Sequence, residues 1–230
     1  MKRILIIGVV LVIGLTTARA TLIVNGGFED PPNAVGEPDP TSWTAFANPP
    51  THDAMGVVQT TFAHGGTQVL QFFAPADSSF NNTFHGYLQD TNMIVEGSGG
   101  HVDFSAFVRS SPFLPFTNNM TLELKIEFFT NSVALNTIVL SIDADDISTG
   151  SWTQFMLSGT PTNNTDRVRF TIVQVNGTNP DDNGILWVDD ASATFALPEP
   201  STLGMLLIGG AIVRYVKQRR DRRQPNVETA

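Results

Sequence analysis

The stretch TLELKIEFF at residues 121–129 decides the fold, because apolar and polar residues alternate along it. The apolar parity consists of Leu122, Leu124, Ile126 and Phe128; the polar parity consists of Thr121, Glu123, Lys125 and Glu127. Successive side chains of a β-strand point to opposite faces of its sheet. The stretch therefore predicts a strand with one face in a hydrophobic core and the other in water.

Short runs of this kind recur along the chain, separated by Gly, Pro, Asn and Asp, whereas helical periodicity is almost absent. The predicted strands are residues 22–24, 42–46, 55–59, 67–73, 87–94, 101–109, 121–129, 133–142, 152–157, 168–175 and 185–195. This pattern predicts an all-β protein. About ten to eleven strands in a single domain favour a jelly-roll β-sandwich over a seven-stranded immunoglobulin-like one.

The two ends of the chain differ in composition from the middle. Residues 1–20 begin with Lys2 and Arg3, continue with an apolar run and close on Ala18-Arg19-Ala20, which is typical of a cleaved signal peptide. About twelve apolar residues rise only ~18 Å as a helix, against a hydrocarbon core of ~30 Å, so a transmembrane helix is the weaker interpretation. We expect residues 21–196 to form the β-sandwich domain and residues 197–230 a separate tail.

Charge is distributed unevenly between these segments. The chain carries a formal net charge of −9, but nine of its 13 Lys and Arg residues lie in the two end segments. The domain retains Arg109, Lys125, Arg167 and Arg169 against 19 Asp and Glu, which gives a formal charge of 4 − 19 = −15. Nucleic acid is excluded as a partner, because phosphate binding requires clustered basic residues. The chain has no cysteine, so packing or a metal ion must stabilise the domain without disulfides.

The tail begins with Pro198, Glu199 and Pro200, continues with an apolar run at residues 203–213, and ends with six basic residues that include Arg219 and Arg220. Basic residues behind an apolar segment are typical of its cytoplasmic side. This order resembles the PEP-CTERM sorting signal of Gram-negative bacteria. The resemblance implies export across the inner membrane, a short transmembrane helix, processing by an exosortase-type transpeptidase, and delivery to the cell surface or exopolysaccharide. A plain C-terminal membrane anchor is the alternative.

Two stretches near the ends of the domain carry a second resemblance. Residues 22–29 read LIVNGGFE and residues 187–195 read WVDDASATF; residues 63–68, AHGGTQ, fit the same pattern. Together they resemble the carbohydrate-binding-module β-sandwiches of the galactose-binding-like superfamily. The resemblance implies a fold and does not name a ligand.

Strand parity adds an argument about Asp189. It shares its parity with residues that we expect to face the core: Ile185, Trp187, Ala191, Ala193 and Phe195. An unpaired inward carboxylate would cost several kcal/mol. The resemblance implies a structural Ca²⁺ held by Glu29 and Asp189, with main-chain carbonyls such as that of Gly27. Asp190 takes the place of Asp189 if the parity is shifted by one. Without a metal, Asp189 caps backbone amides at a strand end or is exposed.

Glycan binding would require exposed aromatic rings that stack on a sugar, with polar groups nearby. The candidates are Trp43, Phe84, His85, Tyr87, Phe113 and Phe116. Trp43 lies in a strand-like context that favours core packing. Phe113 and Phe116 lie in a Pro-rich loop and are expected to be exposed.

Motifs of catalysis are scarce. The sequence contains no Gly-x-Ser-x-Gly, no His-Glu-x-x-His and no phosphate loop, and its four His residues have no metal-ligand spacing. We therefore expect a non-enzymatic, calcium-stabilised structural or interaction protein of the cell surface or extracellular matrix. A carbohydrate-binding module that contacts a polysaccharide through exposed aromatics is the first alternative, and a polysaccharide-active hydrolase is the second.

Overall fold

The computed structural model describes residues 19–30, 39–48, 55–74, 83–92, 100–117, 119–176, 183–196 and 214. The first 18 residues of the predicted signal peptide lie outside these ranges. So does the sorting motif, with Pro198, Glu199, Pro200, Arg219 and Arg220. Within the described ranges, no helix has the length and apolar character needed to cross a membrane. Residues 19–196 form one compact unit.

Eleven strands are found in the described part of this unit. They are β1 (Arg19–Thr21), β2 (Thr44–Asn48), β3 (Met55–Gln59), β4 (Gln68–Ala74), β5 (Phe84–Asn92), β6 (His101–Ser110), β7 (Thr121–Thr130), β8 (Val133–Asp143), β9 (Thr153–Gly159), β10 (Arg167–Val175) and β11 (Gly184–Ala196). A single 3₁₀ turn, Ala144–Asp146, follows β8.

The strands form two antiparallel sheets. One sheet has the order β3-β4-β11-β6-β9, with β1 also paired to β11; the other has the order β2-β5-β10-β7-β8. Strands that follow one another in sequence often lie in different sheets, so the chain crosses between the layers repeatedly. The prediction of an all-β sandwich is confirmed.

The core lies between the two sheets and follows the predicted alternation. In β7 every second residue from Leu122 to Phe128 is fully buried, and in β6 the same holds from Val102 to Val108. The rings of Phe104 and Phe170 meet across the core with centroids 5.3 Å apart. The outer face of each sheet therefore carries the residues of the opposite parity.

The first strand is shifted from its predicted position. Residues 22–24 were expected to form it, but the strand is Arg19–Thr21, paired in register with β11 from Ala196 back to Thr194. The amide of Leu22 still donates to the carbonyl of Ala193 at 2.8 Å. Beyond it the chain leaves the sheet, because the sequence Asn-Gly-Gly at residues 25–27 forms a tight turn.

Candidate functional site

The turn at residues 25–28 locks the start of the domain onto its last strand. Gly26 accepts a 2.8 Å hydrogen bond from the amide of Ala191. A Cβ at Gly26 would lie only 1.7 Å from the carbonyl oxygen of Ala191, so no other residue fits there without displacing the backbone. The Asn25 side chain closes the turn by donating to the carbonyl of Asp30 at 2.6 Å.

A β-bulge interrupts β11 beside this contact. Asp189 pairs with Phe107, whereas Ser192 pairs with Ser105, so Asp190 and Ala191 together oppose one residue of β6. Asp190 has a φ of 46°, in the left-handed region that Asp tolerates better than most residues. A bulge of this kind reverses the alternation of the strand.

Because of the bulge, the residues of β11 that face the core differ from those predicted. Before it, Leu186 and Val188 belong to the core; after it, Ala191 and Ala193 do. Trp187 lies on the outer face of the sheet instead, where its Nε1 donates to Oε1 of Gln71 at 3.0 Å. Uninterrupted alternation along β11 predicts Ile185, Trp187 and Asp189 on the inner face. That prediction is wrong, because the bulge shifts the alternation by one residue.

Asp189 is nonetheless fully buried, because the loop between β3 and β4, residues 60–67, covers it. Its Oδ2 accepts hydrogen bonds from the amides of His64 at 2.9 Å and Gly65 at 3.0 Å, and its Oδ1 accepts one from the amide of Asp190 at 2.7 Å. Burial raises the pKa of Asp189 to about 6, although the three amides partly oppose this shift. Asp189 is a buried cap that ties the 60–67 loop to the last strand.

Glu29 holds the other end of the same loop. Its Oε1 accepts from the amides of Thr67 and Gln68, both at 2.8 Å, and its Oε2 accepts from Oγ1 of Thr67 at 3.2 Å. A Cβ at Gly66 would lie 2.2 Å from Oε1 of Glu29, and Gly66 has a φ of 66°. Glycine is therefore required at residue 66 for the carboxylate to reach these amides.

Asp190 completes a carboxylate cluster, by which we mean Glu29, Asp189 and Asp190. Its Oδ2 lies 2.7 Å from Nδ1 of His64. Its carboxylate also borders Gly65 and Gly27, where added Cβ atoms would lie 2.8 Å and 3.5 Å away. In the described part of the chain, no Lys or Arg lies within 4.0 Å of the cluster. Nor do any three His, Asp or Glu side chains there group so as to hold a metal ion.

The 60–67 loop also carries an aromatic ring over the outer face of the six-stranded sheet. Phe62 stacks on Trp187 with centroids 5.5 Å apart and an interplanar angle of 15°. The carbonyl of Phe62 accepts a 2.9 Å hydrogen bond from Nε1 of Trp152. Two residues further on, the His64 ring stacks on Phe107 at 3.7 Å. Two rings of the 60–67 loop, those of Phe62 and His64, are therefore packed against aromatic residues of the sheet.

Phe113 extends this group of rings into solvent. Its side chain is 78% exposed, and its ring meets the edge of Phe62 with centroids 6.0 Å apart. We call Phe62 and Phe113 the aromatic surface; Trp187, only 5% exposed, lies buried against Phe62. Arg109 borders the aromatic surface, with its guanidinium carbon 5.0 Å from the centroid of Phe62.

The loop that presents Phe113 is held by hydrogen bonds from both sides. The amide of Phe113 donates to Oγ of Ser111 at 3.2 Å, and the amide of Ser111 donates to the carbonyl of Ile185 at 2.9 Å. Phe116 is buried, only 6% exposed, and serves as the apolar anchor of this loop. Its predicted exposure is wrong, because a glycine at residue 184 lets the loop pack directly onto β11, 2.5 Å from where a Cβ would stand.

The other aromatic candidates have different positions. Trp43 is 6% exposed and packs on Phe28, and Tyr87 is fully buried with its hydroxyl donating to Asp39 at 2.6 Å. His85 is also fully buried. None of the three can offer a ring face to a ligand, because all three are buried: His85 and Tyr87 lie on the inward parity of β5, and Trp43 packs in the core just before β2 begins. Phe84 is 37% exposed on the outer face of the five-stranded sheet, near Phe46.

A shallow cavity of about 510 Å³ lies along the 60–67 loop and its flanks. Its lining is uncharged and rich in hydroxyl and amide groups: Gln59, Thr60, Thr61, Ala63, Gly66 and Thr67. Such groups match the hydrogen-bonding pattern of neutral sugars.

Phe62, Trp187 and Arg109 were not among the residues predicted to bind a ligand. Phe62 stands alone in a loop without a pattern, and Trp187 was assigned to the core through the parity error. The sequence does contain one signal for Arg109, because it is one of only four basic residues in a domain with 19 acidic ones.

Comparisons with known proteins bear on the fold. No protein-family model matches the chain, and no curated protein sequence matches it. Among solved structures it is similar to TmCBM61 in complex with beta-1,4-galactotriose, with a TM-score of 0.50 and 14% identity over 76% of this chain and 97% of that one. It is also similar to the enzymatically active domain of bacteriophage CBA120 tailspike protein 4, with a TM-score of 0.52 and 12% identity over 77% of this chain and 21% of that one. The chain therefore has a β-sandwich fold like that of a carbohydrate-binding module.

The raised pKa of Asp189 predicts how stability depends on pH. A free Asp has a pKa of about 3.9, so between about pH 4 and pH 6 the folded state holds a proton that the unfolded state has lost. The contribution of Asp189 to the free energy of unfolding therefore falls as the pH rises through this range, by up to about 3 kcal/mol. Urea unfolding from pH 4 to pH 8, with a chelator present, measures it.

In Asp189→Asn we expect this decline to disappear and stability to be lower by about 1 to 3 kcal/mol at pH 7, since an amide cannot accept all three hydrogen bonds. Asp145→Asn, at an exposed turn, is the control and should keep the wild-type slope. Identical slopes for wild type and Asp189→Asn would contradict the assignment.

Proposed function

We propose that the domain binds glycans through the aromatic surface. The observation that carries the proposal is Phe113, a phenyl ring 78% exposed on a loop held by its own hydrogen bonds. Exposing a large apolar ring is unfavourable in water, and the C–H face of a pyranose is a suitable partner for it. Because the loop is already fixed, little conformational entropy is lost when a sugar stacks there.

Polar groups around the aromatic surface support this proposal. Arg109 supplies hydrogen-bond donors beside Phe62, and the cavity along the 60–67 loop, lined by the sequence neighbours Thr61 and Ala63 of Phe62, supplies hydroxyl and amide groups. Sites for sugars combine an apolar platform with a few polar groups that fix orientation. The likeness in fold to TmCBM61, a structure that contains a galactotriose, is a further support for glycan binding over a purely structural role.

The wider setting of the domain also belongs to the proposal. The signal-peptide pattern and the Pro-Glu-Pro tail support export across the inner membrane, exosortase processing and display at the cell surface or in exopolysaccharide. The alternation of strands between the sheets supports a jelly-roll type of sandwich. We assign binding without turnover, since the sequence carries no motif of a known catalytic class.

A structural Ca²⁺ at the carboxylate cluster is the second part of the proposal. Asp189 fits a ligand role poorly, because its carboxylate is fully buried. Glu29 and Asp190 fit better, since both residues are only half-buried and the side chains of both lie beside Gly27. A divalent cation held by these two carboxylates and main-chain carbonyls such as that of Gly27 would offset their two negative charges.

Glycan binding is tested with the purified domain on a glycan array, followed by calorimetry with the best ligand. We expect saturable binding, and we expect Phe113→Ala to weaken it about five- to thirtyfold, because a stacked ring contributes roughly 1 to 2 kcal/mol. The melting temperature should change little, since the ring is exposed.

Phe84→Ala is the matched control, an exposed Phe on the other sheet that should leave affinity unchanged. Loss of binding in Phe84→Ala but not in Phe113→Ala would move the site to the five-stranded sheet. Absence of binding to every glycan would contradict the function itself, and release of shortened products from a bound polysaccharide would contradict binding without turnover.

The calcium assignment predicts a stability response. Because a ligand bound only to the folded state stabilises it by mass action, Ca²⁺ at about 100 times its Kd should contribute ~2.7 kcal/mol, or roughly 5 to 10 °C in Tm for a domain of this size. Excess chelator should reverse the rise. Calorimetric melting with and without Ca²⁺ measures it.

Glu29→Gln should abolish this response to Ca²⁺, whereas Asp145→Asn, at the exposed 3₁₀ turn, should retain it. A wild-type melting curve that is the same in Ca²⁺ and in chelator would overturn the metal site.

A further inference from the structure

Arg109 differs from the other basic residues of the domain in its partners. Arg169 lies 2.9 Å and Arg167 3.4 Å from the carboxylate of Asp90, and Lys125 lies 2.6 Å from Glu123. Of the carboxylates that the structure describes, none lies within 4.0 Å of Arg109. In a domain with 19 acidic residues, a cation without a carboxylate partner is unusual, and this one lies against Phe62, the ring that also contacts the exposed Phe113.

The guanidinium of Arg109 is held in one orientation. Its Nε and Nη2 both donate to the carbonyl of Thr149, at 3.2 Å and 3.1 Å, and it lies over the rings of Phe62 and Trp187 at 5.0 Å and 6.0 Å. A guanidinium has five N–H groups in a planar fork. The two hydrogen bonds to Thr149 occupy one edge of this fork. The edge formed by Nη1 and Nη2 keeps two parallel N–H groups, which match the two oxygens of a carboxylate.

We propose that the glycan bound at the aromatic surface is acidic, with a uronic acid whose carboxylate pairs with Arg109 while a sugar ring stacks on Phe113. This inference rests on the proposed function and names its substrate class. The Phe113 ring lies 6.0 Å and the Arg109 guanidinium carbon 5.0 Å from the centroid of Phe62, so one or two adjacent sugar units can engage both groups together. The guanidinium is already fixed, so the ion pair forms with little loss of side-chain entropy.

The negative charge of the domain restricts which anionic polymers can bind. A formal charge of −15 repels polyanions at long range, but a Debye length of about 8 Å at physiological ionic strength limits this repulsion. Net attraction then arises only where Arg109 is in direct contact with the ligand. A polyanion that lacks a sugar face suited to Phe113 is therefore repelled, which separates recognition of a uronic acid from binding by charge alone.

The test compares polysaccharides that differ only in the carboxylate. Polygalacturonate, alginate and hyaluronan are each paired with their carboxyl-reduced forms, in which the uronic acid becomes a neutral sugar on an unchanged backbone. For at least one pair, we expect the wild-type domain to bind the acidic form about tenfold more tightly, as expected for a charge-assisted bidentate pair. Poly-L-glutamate, which carries carboxylates but no sugar ring, is the probe for charge alone and should not bind.

Arg109→Gln should bring the ratio of the two affinities close to one, and Arg109→Lys should restore part of it. Arg167→Gln, whose side chain pairs with Asp90 on the other sheet, is the control and should keep the wild-type ratio. The wild-type ratio needs no variant, so a folding defect in Arg109→Gln does not affect it.

The possible results distinguish failure of the uronic acid preference from failure of glycan binding itself. Equal or tighter binding of the reduced forms overturns the acidic ligand and leaves glycan binding intact. Absence of binding to all six polysaccharides, and to the glycan array, overturns both. Binding of poly-L-glutamate as tight as that of the uronic acid polymers assigns Arg109 to anionic polymers in general and overturns recognition of a uronic acid.

Discussion

Three backbone N–H groups converge on the buried carboxylate of Asp189, two from the 60–67 loop and one from its own neighbour Asp190. A buried carboxylate is tolerated only when such donors replace its hydration. The bulge in β11 makes the arrangement possible, because it places Asp189 on the outer face of the sheet while Ala191 returns to the core. With Glu29 bound to Thr67 and Gln68, the loop is fixed at both ends.

The rest of the candidate site follows from this fixed loop. It carries Phe62 onto Trp187, and Phe62 in turn contacts both Phe113 and Arg109. A second loop, anchored by Ser111 and the buried Phe116, brings Phe113 to the same place from β6. Two loops with no regular structure thus form one rigid surface, because buried groups at their bases determine where the exposed rings lie. The proposed glycan binding and the proposed preference for uronic acids both depend on this rigidity.

Local patterns predicted the fold well and the site poorly. Alternation such as that of residues 121–129 depends only on neighbouring residues, so it located the strands to within a few residues. The contacts that build the site join residues far apart in sequence, as between His64 and Asp189, and no local period records them. The bulge in β11 reverses the alternation of inward and outward residues, so alternation alone predicted the wrong face of the sheet for Trp187. The exposure of Phe113 was predicted correctly, because it follows from the Pro-rich loop formed by the residues next to it in sequence.

Native-state hydrogen exchange of four amides tests whether carboxylates fix the 60–67 loop. These are the amides of His64, Gly65, Thr67 and Gln68, which donate to Asp189 or Glu29. If the carboxylates fix the loop, these amides exchange as slowly as amides in the central strands β6 and β11, because they open only with the domain. Exchange as fast as that of Ser132, in the exposed turn after β7, would contradict a fixed loop.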